Sequence, residues 1–171
     1  MVRLTFILSL MFFSFLSFPL LAQSGSDPYG LMLKSLYKNT VPLIQPAQLF
    51  QKLAEGTPLL LLDTRSVKEF RVSHLKGAQL ISYDHFSVDA MSAIPKDREI
   101  VVYCSVGYRS ERIGEKLQDL GFTNVRNLSG GIFAWTNEGR PVFDGQNKTN
   151  RVHAYSRTWG FWLKNAEKVY D

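Results

Sequence analysis

Uninterrupted apolar runs mark the centre of this chain. Leu59-Leu60-Leu61-Leu62 lies between Pro58 and Asp63, and Ile100-Val101-Val102-Tyr103 ends at Cys104. A brief run without a polar face predicts a central strand buried on both sides. Val41 to Ile44, Ala78 to Ile81 and Val125 to Leu128 predict further short strands. Between them the spacing becomes helical. Leu49, Phe50 and Leu53 share one face of a helix that Pro46 opens and Gly56 ends. Ile113, Leu117 and Leu120 do the same over residues 109–120, with Gly121 as the stop. Gly130-Gly131 predicts a tight turn into a helix holding Ile132, Phe133 and Trp135, closed by Gly139. Buried strands alternating with helices predict an α/β fold with a mostly parallel central sheet flanked by helices.

Ahead of this pattern stands a segment of another kind. Leu4 to Leu21 is 18 residues without a charge and holds five of the 12 phenylalanines. Arg3 precedes it, Pro19 breaks it near its end, and Ala22-Gln23-Ser24 follows as a small-residue cleavage pattern. This predicts a secretory signal peptide over residues 1–22, with cleavage after 22 or 24 and a periplasmic or secreted product. The alternative is a retained membrane anchor, since a run of this length nearly spans a bilayer. Thr5, Ser9, Ser14 and Ser17 dilute it, and no basic stop-transfer cluster follows. Residues 23–41 read as a linker with one or two helical turns, 42–143 as the domain, and 144–171 as an extension.

Composition narrows the chemistry. The chain has 171 residues, enough for one domain of ordinary size. Its single cysteine, Cys104, excludes an internal disulfide, a Cys-x-x-Cys redox pair and a multi-cysteine zinc site. His74, His85 and His153 lack ligand spacing, so no metal site is expected. The net charge is +5, and only Arg3 is lost with residues 1–22. So mild an excess suits an anionic small substrate and falls short of the basic stripe of a nucleic-acid binder.

In open α/β sheets ligands sit beyond the carboxyl ends of the strands. Here one strand ends in Asp63-Thr64-Arg65. The other ends in Cys104-Ser105-Val106-Gly107-Tyr108-Arg109-Ser110 and runs straight into a helix. A cysteine so placed meets backbone N–H groups and the positive end of a helix dipole, which together stabilise a thiolate. The same loop cradles an anion delivered to the sulfur. Gly107 lets it curl. The competing reading is an inert cysteine at the end of a core strand. Arg109 either attracts an anionic donor or pairs with an acid at the rim. Ser110 either only opens the helix or also hydrogen-bonds the loop through its hydroxyl. Asp63 and Arg65 are expected to pair and support the pocket wall. His74 reads as a structural histidine, since a thiolate needs no base. Asn127-Leu128-Ser129 matches a glycosylation pattern but falls at a predicted strand end.

Two stretches resemble the signatures of single-domain rhodaneses, a sulfurtransferase family. LLLLDTRSVKEFRVSHLKGAQLI is similar to the first, through Asp63, Arg65, Glu69, Phe70, His74, Gly77 and Ala78. IVVYCSVGYRSERIGEKLQDLGFTNVRNLSGGIFAW is similar to the second, from the cysteine loop through Gly130-Gly131 and Trp135. Ser73 departs from the family, which usually has glycine before the histidine. The resemblance implies a rhodanese-like fold in which Cys104 accepts a sulfane sulfur, becomes a persulfide, and passes the sulfur to cyanide or a thiol, with no metal or organic cofactor needed. Related phosphatases have one more residue between cysteine and arginine than the four found here. The tighter loop suits a sulfur atom rather than a phosphate.

The alternative function is a non-turnover persulfide carrier or protein-binding module of the same fold. The extension keeps that reading open. It combines Tyr155, Trp159, Phe161, Trp162 and Tyr170 with Arg151, Arg157, Lys164 and Lys168. Such a mixture either packs on the domain or offers a surface to a protein partner or an anionic membrane.

Overall fold

A computed structural model describes residues 27–171. The expected signal segment lies outside them. Five short strands form one parallel sheet: β1 (Leu43–Ile44), β2 (Leu60–Asp63), β3 (Gln79–Leu80), β4 (Ile100–Tyr103) and β5 (Val125–Leu128), in the order β1-β5-β4-β2-β3. The two expected central strands are neighbours, with Leu61 opposite Val101 and Asp63 opposite Tyr103. Side chains of β4 alternate between two apolar layers, as the pleat requires. Val101 and Tyr103 face one layer, with Leu33, Ile44, Leu49 and Phe133; Ile100 and Val102 face the other, with Val41, Ile113 and Leu117. Fully burying each such aliphatic side chain contributes roughly 1.5–3 kcal/mol, which is why uninterrupted apolar runs occupy the middle of the sheet.

The helices cover both faces. They are α1 (Pro28–Leu36), α2 (Pro46–Ala54), α3 (Val67–Val72), α4 (Tyr108–Asp119) and α5 (Gly131–Asn137). Pro46 opens α2, and Gly56 follows it in the left-handed region at φ 70°. Ser66 and Glu69 close a reciprocal box at the start of α3. The Glu69 N–H donates to Ser66 Oγ at 3.3 Å, and the Ser66 N–H donates to Glu69 Oε2 at 3.0 Å. The ends of β1, β2 and β3 shift by one or two residues from the expected bounds; Leu59, for instance, precedes β2.

The described part of the expected linker is not a spacer. Residues 28–36 form a helix, Leu33 and Tyr37 enter the core, and buried Glu111 accepts the backbone N–H groups of Lys38 and Thr40 at 3.0 and 3.2 Å. The extension also folds back. After the hairpin β6 (Val142–Asp144) and β7 (Asn147–Thr149) come β8 (Arg151–His153), α6 (Arg157–Gly160) and β9 (Glu167–Val169), with β8 and β9 paired in parallel. Val152, Ala154 and Leu163 are buried in the core, while Trp159 and Trp162 pack against it. Asn137 brackets the turn after α6: its Nδ2 donates to Trp162 O at 2.8 Å, and its Oδ1 accepts from the Lys164 N–H at 2.6 Å. Among the described residues no helix is long and apolar enough to cross a membrane.

Candidate active site

Because β2 and β4 are adjacent and parallel, their carboxyl ends deliver two loops side by side. The β4 loop carries Cys104, 1 % exposed, and ends at Gly107, which takes φ 99° as the N-cap of α4. Glycine is needed there twice over. The dihedral is left-handed, and a Cβ would collide with the Tyr37 hydroxyl.

The loop is held from outside by its carbonyls. Cys104 O accepts from the Ile132 N–H at 2.9 Å, and Ser105 O from the Phe133 N–H at 3.1 Å. Val106 O accepts from the Tyr37 hydroxyl at 2.6 Å. Gly107 O accepts from Asn127 Nδ2 at 2.9 Å and from the Glu111 N–H at 3.1 Å. A trans peptide turns its N–H opposite to its carbonyl. Anchoring four successive carbonyls therefore turns the N–H groups of Ser105, Val106, Gly107 and Tyr108 away from the anchors. The Gly107 N–H lies 3.1 Å from Cys104 Sγ, donating to it. Donors so aimed stabilise negative charge on sulfur.

Ser110 acts one step removed from the loop. Its hydroxyl donates to Asn127 Oδ1 at 2.7 Å, and the same amide holds Gly107 O. Asn127 is therefore a supporting residue that sequence reading passed over, and its fully buried amide is no glycosylation acceptor.

Glu69 was also missed as a site residue. It comes from α3, is 2 % exposed, and binds Arg109 with both oxygens, at 2.9 and 2.7 Å. Ser105 Oγ donates to Glu69 Oε1 at 3.1 Å, and Arg109 Nη2 donates to Ser105 Oγ at 3.1 Å. Burial alone would raise the Glu69 carboxyl, but the Arg109 hydrogen bonds and charge outweigh it and hold the group at about 2. Burial likewise disfavours the Arg109 charge. The Glu69 hydrogen bonds and charge, with Cys104 beside it, reverse that, so the guanidinium stays protonated well above its ordinary range. The local mark of Glu69 in the sequence was the Ser66-x-x-Glu69 capping box.

Asp63 and Arg65 are wholly buried and pair at 2.7 Å, with Arg65 Nη2 also donating to Ser73 O at 2.6 Å. They brace the end of β2 behind the loop. Ser73 has φ −172°, an extended value any residue adopts, so its departure from glycine needs no unusual backbone. His74 stacks on Phe70 with ring centroids 4.0 Å apart, and its Nδ1 lies 3.1 Å from Phe70 O, which gives it a structural place.

Cys104, Ser105, Val106, Tyr108 and Arg109 line a cavity of about 570 Å³, together with Glu69; Gly107, Ser110, Asp63 and Arg65 stand behind that lining. Among the described residues no cluster of His, Cys, Asp and Glu is arranged to hold a metal. The arrangement is that of a single-cysteine nucleophile in an anion-stabilising loop at the switch end of a parallel sheet.

Comparison with known proteins gives this class a family. Residues 46–138 match the model of the rhodanese-like domain, and the chain belongs to that family. A sulfurtransferase of Allochromatium vinosum is 37% identical over 99 residues, covering 58% of this chain and 92% of that protein. A tRNA uridine(34) hydroxylase of Bdellovibrio bacteriovorus is 31% identical over 100 residues, covering 56% of this chain but only 28% of its relative. The solution structure of the rhodanese-like domain of Alr3790 from Anabaena superposes with a TM-score of 0.56 at 26% identity, over 62% of this chain and 83% of that one. The fold is rhodanese-like, and the family relationship supports an enzyme of the sulfurtransferase type.

Proposed function

We propose that the protein transfers a sulfane sulfur through a persulfide on Cys104. The observation that carries the reading is the loop itself: four anchored carbonyls, their N–H groups turned the other way, and the Gly107 N–H at 3.1 Å from Sγ. With thiosulfate as donor, the Cys104 thiolate attacks the outer sulfur. The S–S bond breaks and sulfite leaves with the electron pair. Cyanide or a thiol then attacks the terminal sulfur, and the bond to Cys104 breaks with its electrons returning to the thiolate. The N–H donors serve both steps, because each leaves negative charge on sulfur inside the loop. Arg109 is already engaged by both oxygens of Glu69. It does not stand free to clamp a phosphoryl group, which speaks against the phosphatase chemistry of longer loops.

Mass spectrometry of the purified protein tests this. Incubation with a sulfane donor gives a gain of about 32 Da on Cys104, discharged by cyanide, as a two-step covalent route requires. Cys104→Ser folds and shows neither the gain nor turnover. Should the wild type take up no sulfur while binding a protein partner as well as Cys104→Ser does, the binding-module alternative holds instead.

A further inference from the structure

The family match ends at residue 138, yet His153, Tyr155, Trp159 and Asp171 of the extension line the same cavity as Cys104. This is a built wall. β8 packs on α3, the helix that carries Glu69. The Tyr155 N–H donates to His153 Nδ1 at 3.1 Å, and His153 Nε2 lies 3.4 Å from Asp171 Oδ1. Ser156 Oγ caps α6 by accepting the Trp159 N–H at 3.3 Å. Tyr155 sits at φ 64°, a left-handed value unfavourable for a bulky residue, so its placement is imposed by its surroundings. That backbone puts its ring over the Arg109 guanidinium, 5.1 Å from the centroid, while leaving the residue 54% exposed.

Two further properties bear on what enters. The cavity, about 570 Å³, falls in the range of sites for organic ligands and far exceeds the needs of a small inorganic ion. Its charge also offers a dianion little. Arg109 is matched by Glu69 and Asp171 by Lys68, at 3.5 Å, while Asp84 adds a further carboxylate to the same lining. A doubly charged donor meets no unpaired arginine or lysine among the described lining residues, whereas an aromatic or apolar group meets Tyr155 and Trp159.

We infer that the extension is the specificity wall of the site, and that it selects an organic sulfane-sulfur donor with an aromatic or apolar body and at most one negative charge, in preference to thiosulfate. The inference rests on the sulfur-transfer reading and names its substrate class. For an arylthiosulfonate the step balances simply. The Cys104 thiolate bonds the terminal sulfur, the S–S bond breaks, and arylsulfinate departs with the electron pair.

The test is single-turnover loading of Cys104 by the salts of thiosulfate, methanethiosulfonate and benzenethiosulfonate, followed by mass. The two thiosulfonates share charge and reacting atoms and differ in the ring. In the wild type, benzenethiosulfonate exceeds methanethiosulfonate by at least about tenfold in second-order rate, as burial of one aromatic ring implies, and thiosulfate is the slowest. Tyr155→Asn keeps a residue that tolerates positive φ and removes the ring. Trp159→Leu keeps apolar volume against the core. Either change lowers the preference for the aryl donor at least fivefold; any intrinsic difference between the donors cancels, being common to both proteins. A preference that survives in both variants, or thiosulfate as the fastest donor, overturns the inference while leaving sulfur transfer intact. No loading from any donor, with Cys104 still alkylated by iodoacetamide, overturns the sulfur-transfer reading itself.

Discussion

Arg109, with 18% of its side chain exposed, keeps its charge because Glu69 meets it with both oxygens. The pair has a pH signature. The Glu69 carboxyl lies at about 2 in the folded protein against an ordinary 4.5. Between those values the unfolded chain binds a proton that the folded chain does not, so stability rises with pH there. The stabilisation is complete above the ordinary value and is lost as pH falls from about 4.5 towards 2. A shift of that size is worth on the order of 3 kcal/mol. Glu69→Gln therefore melts lower than wild type at pH 7, and the gap narrows as the pH drops to 3. Melting curves at pH 7, 4 and 3 decide it, and parallel profiles for the two proteins would discard the assignment. At this scale the sequence was half legible. Cys104 and its loop lie together in the chain, at a strand end, and could be read locally. Glu69 meets Arg109 across 40 positions, and nothing local distinguishes a carboxylate aimed at a guanidinium from one facing water.

The elements around the loop act through their ends. α5 contributes the N–H groups of Ile132 and Phe133, and the segment after α1 contributes Tyr37. The Tyr37 hydroxyl accepts from the Gly130 N–H at 2.8 Å as well as donating to Val106 O. Burial pushes its ionisation well above the ordinary range, so it remains a donor at working pH. Tyr37→Phe leaves a buried carbonyl and a buried N–H unpaired, at a cost of about 2 kcal/mol. Tyr37 is a positioning residue, and the variant is expected to load sulfur more slowly from every donor alike, because the loop loses shape rather than a substrate contact. Urea unfolding with single-turnover loading measures both effects; lower stability with an unchanged loading rate would reduce Tyr37 to a packing role. β4 was readable to the residue because an apolar, β-branched run has one outlet in a layered fold, whereas β5 keeps its expected bounds with Arg126 and Asn127 in its middle. The paired segments Asn147–Thr149 and Glu167–Val169 were not, since three mostly exposed residues carry no periodicity and pair only because the extension is held elsewhere.

Across the whole molecule, the segments on either side of the family domain converge on one cavity, Leu36 from before it and Trp159 from after it. The extension's aromatics were visible in the sequence, but their destination depended on Val152, Ala154 and Leu163 reaching the core, which only the assembled fold sets. Export belongs to this scale too. We propose that the uncharged run from Leu4 to Leu21 directs secretion and is removed near Ala22. N-terminal sequencing of protein from its own cells then begins at Gln23 or Gly25. A chain starting at Met1 and sedimenting with membranes would mark an anchor instead.

The four carbonyl anchors also bear on how such a site could change over time. None of their donors except the Glu111 N–H lies within the loop or the helix that follows it. The loop's curvature is thus written in Tyr37, Asn127 and the start of α5, more than in the loop. One residue inserted between Cys104 and Arg109 would throw each later carbonyl out of step with a fixed external partner. Widening the ring for a larger oxyanion is therefore not one mutational step from this protein. It calls for an insertion together with the re-siting of donors on three separate segments, each of which is also occupied in the core.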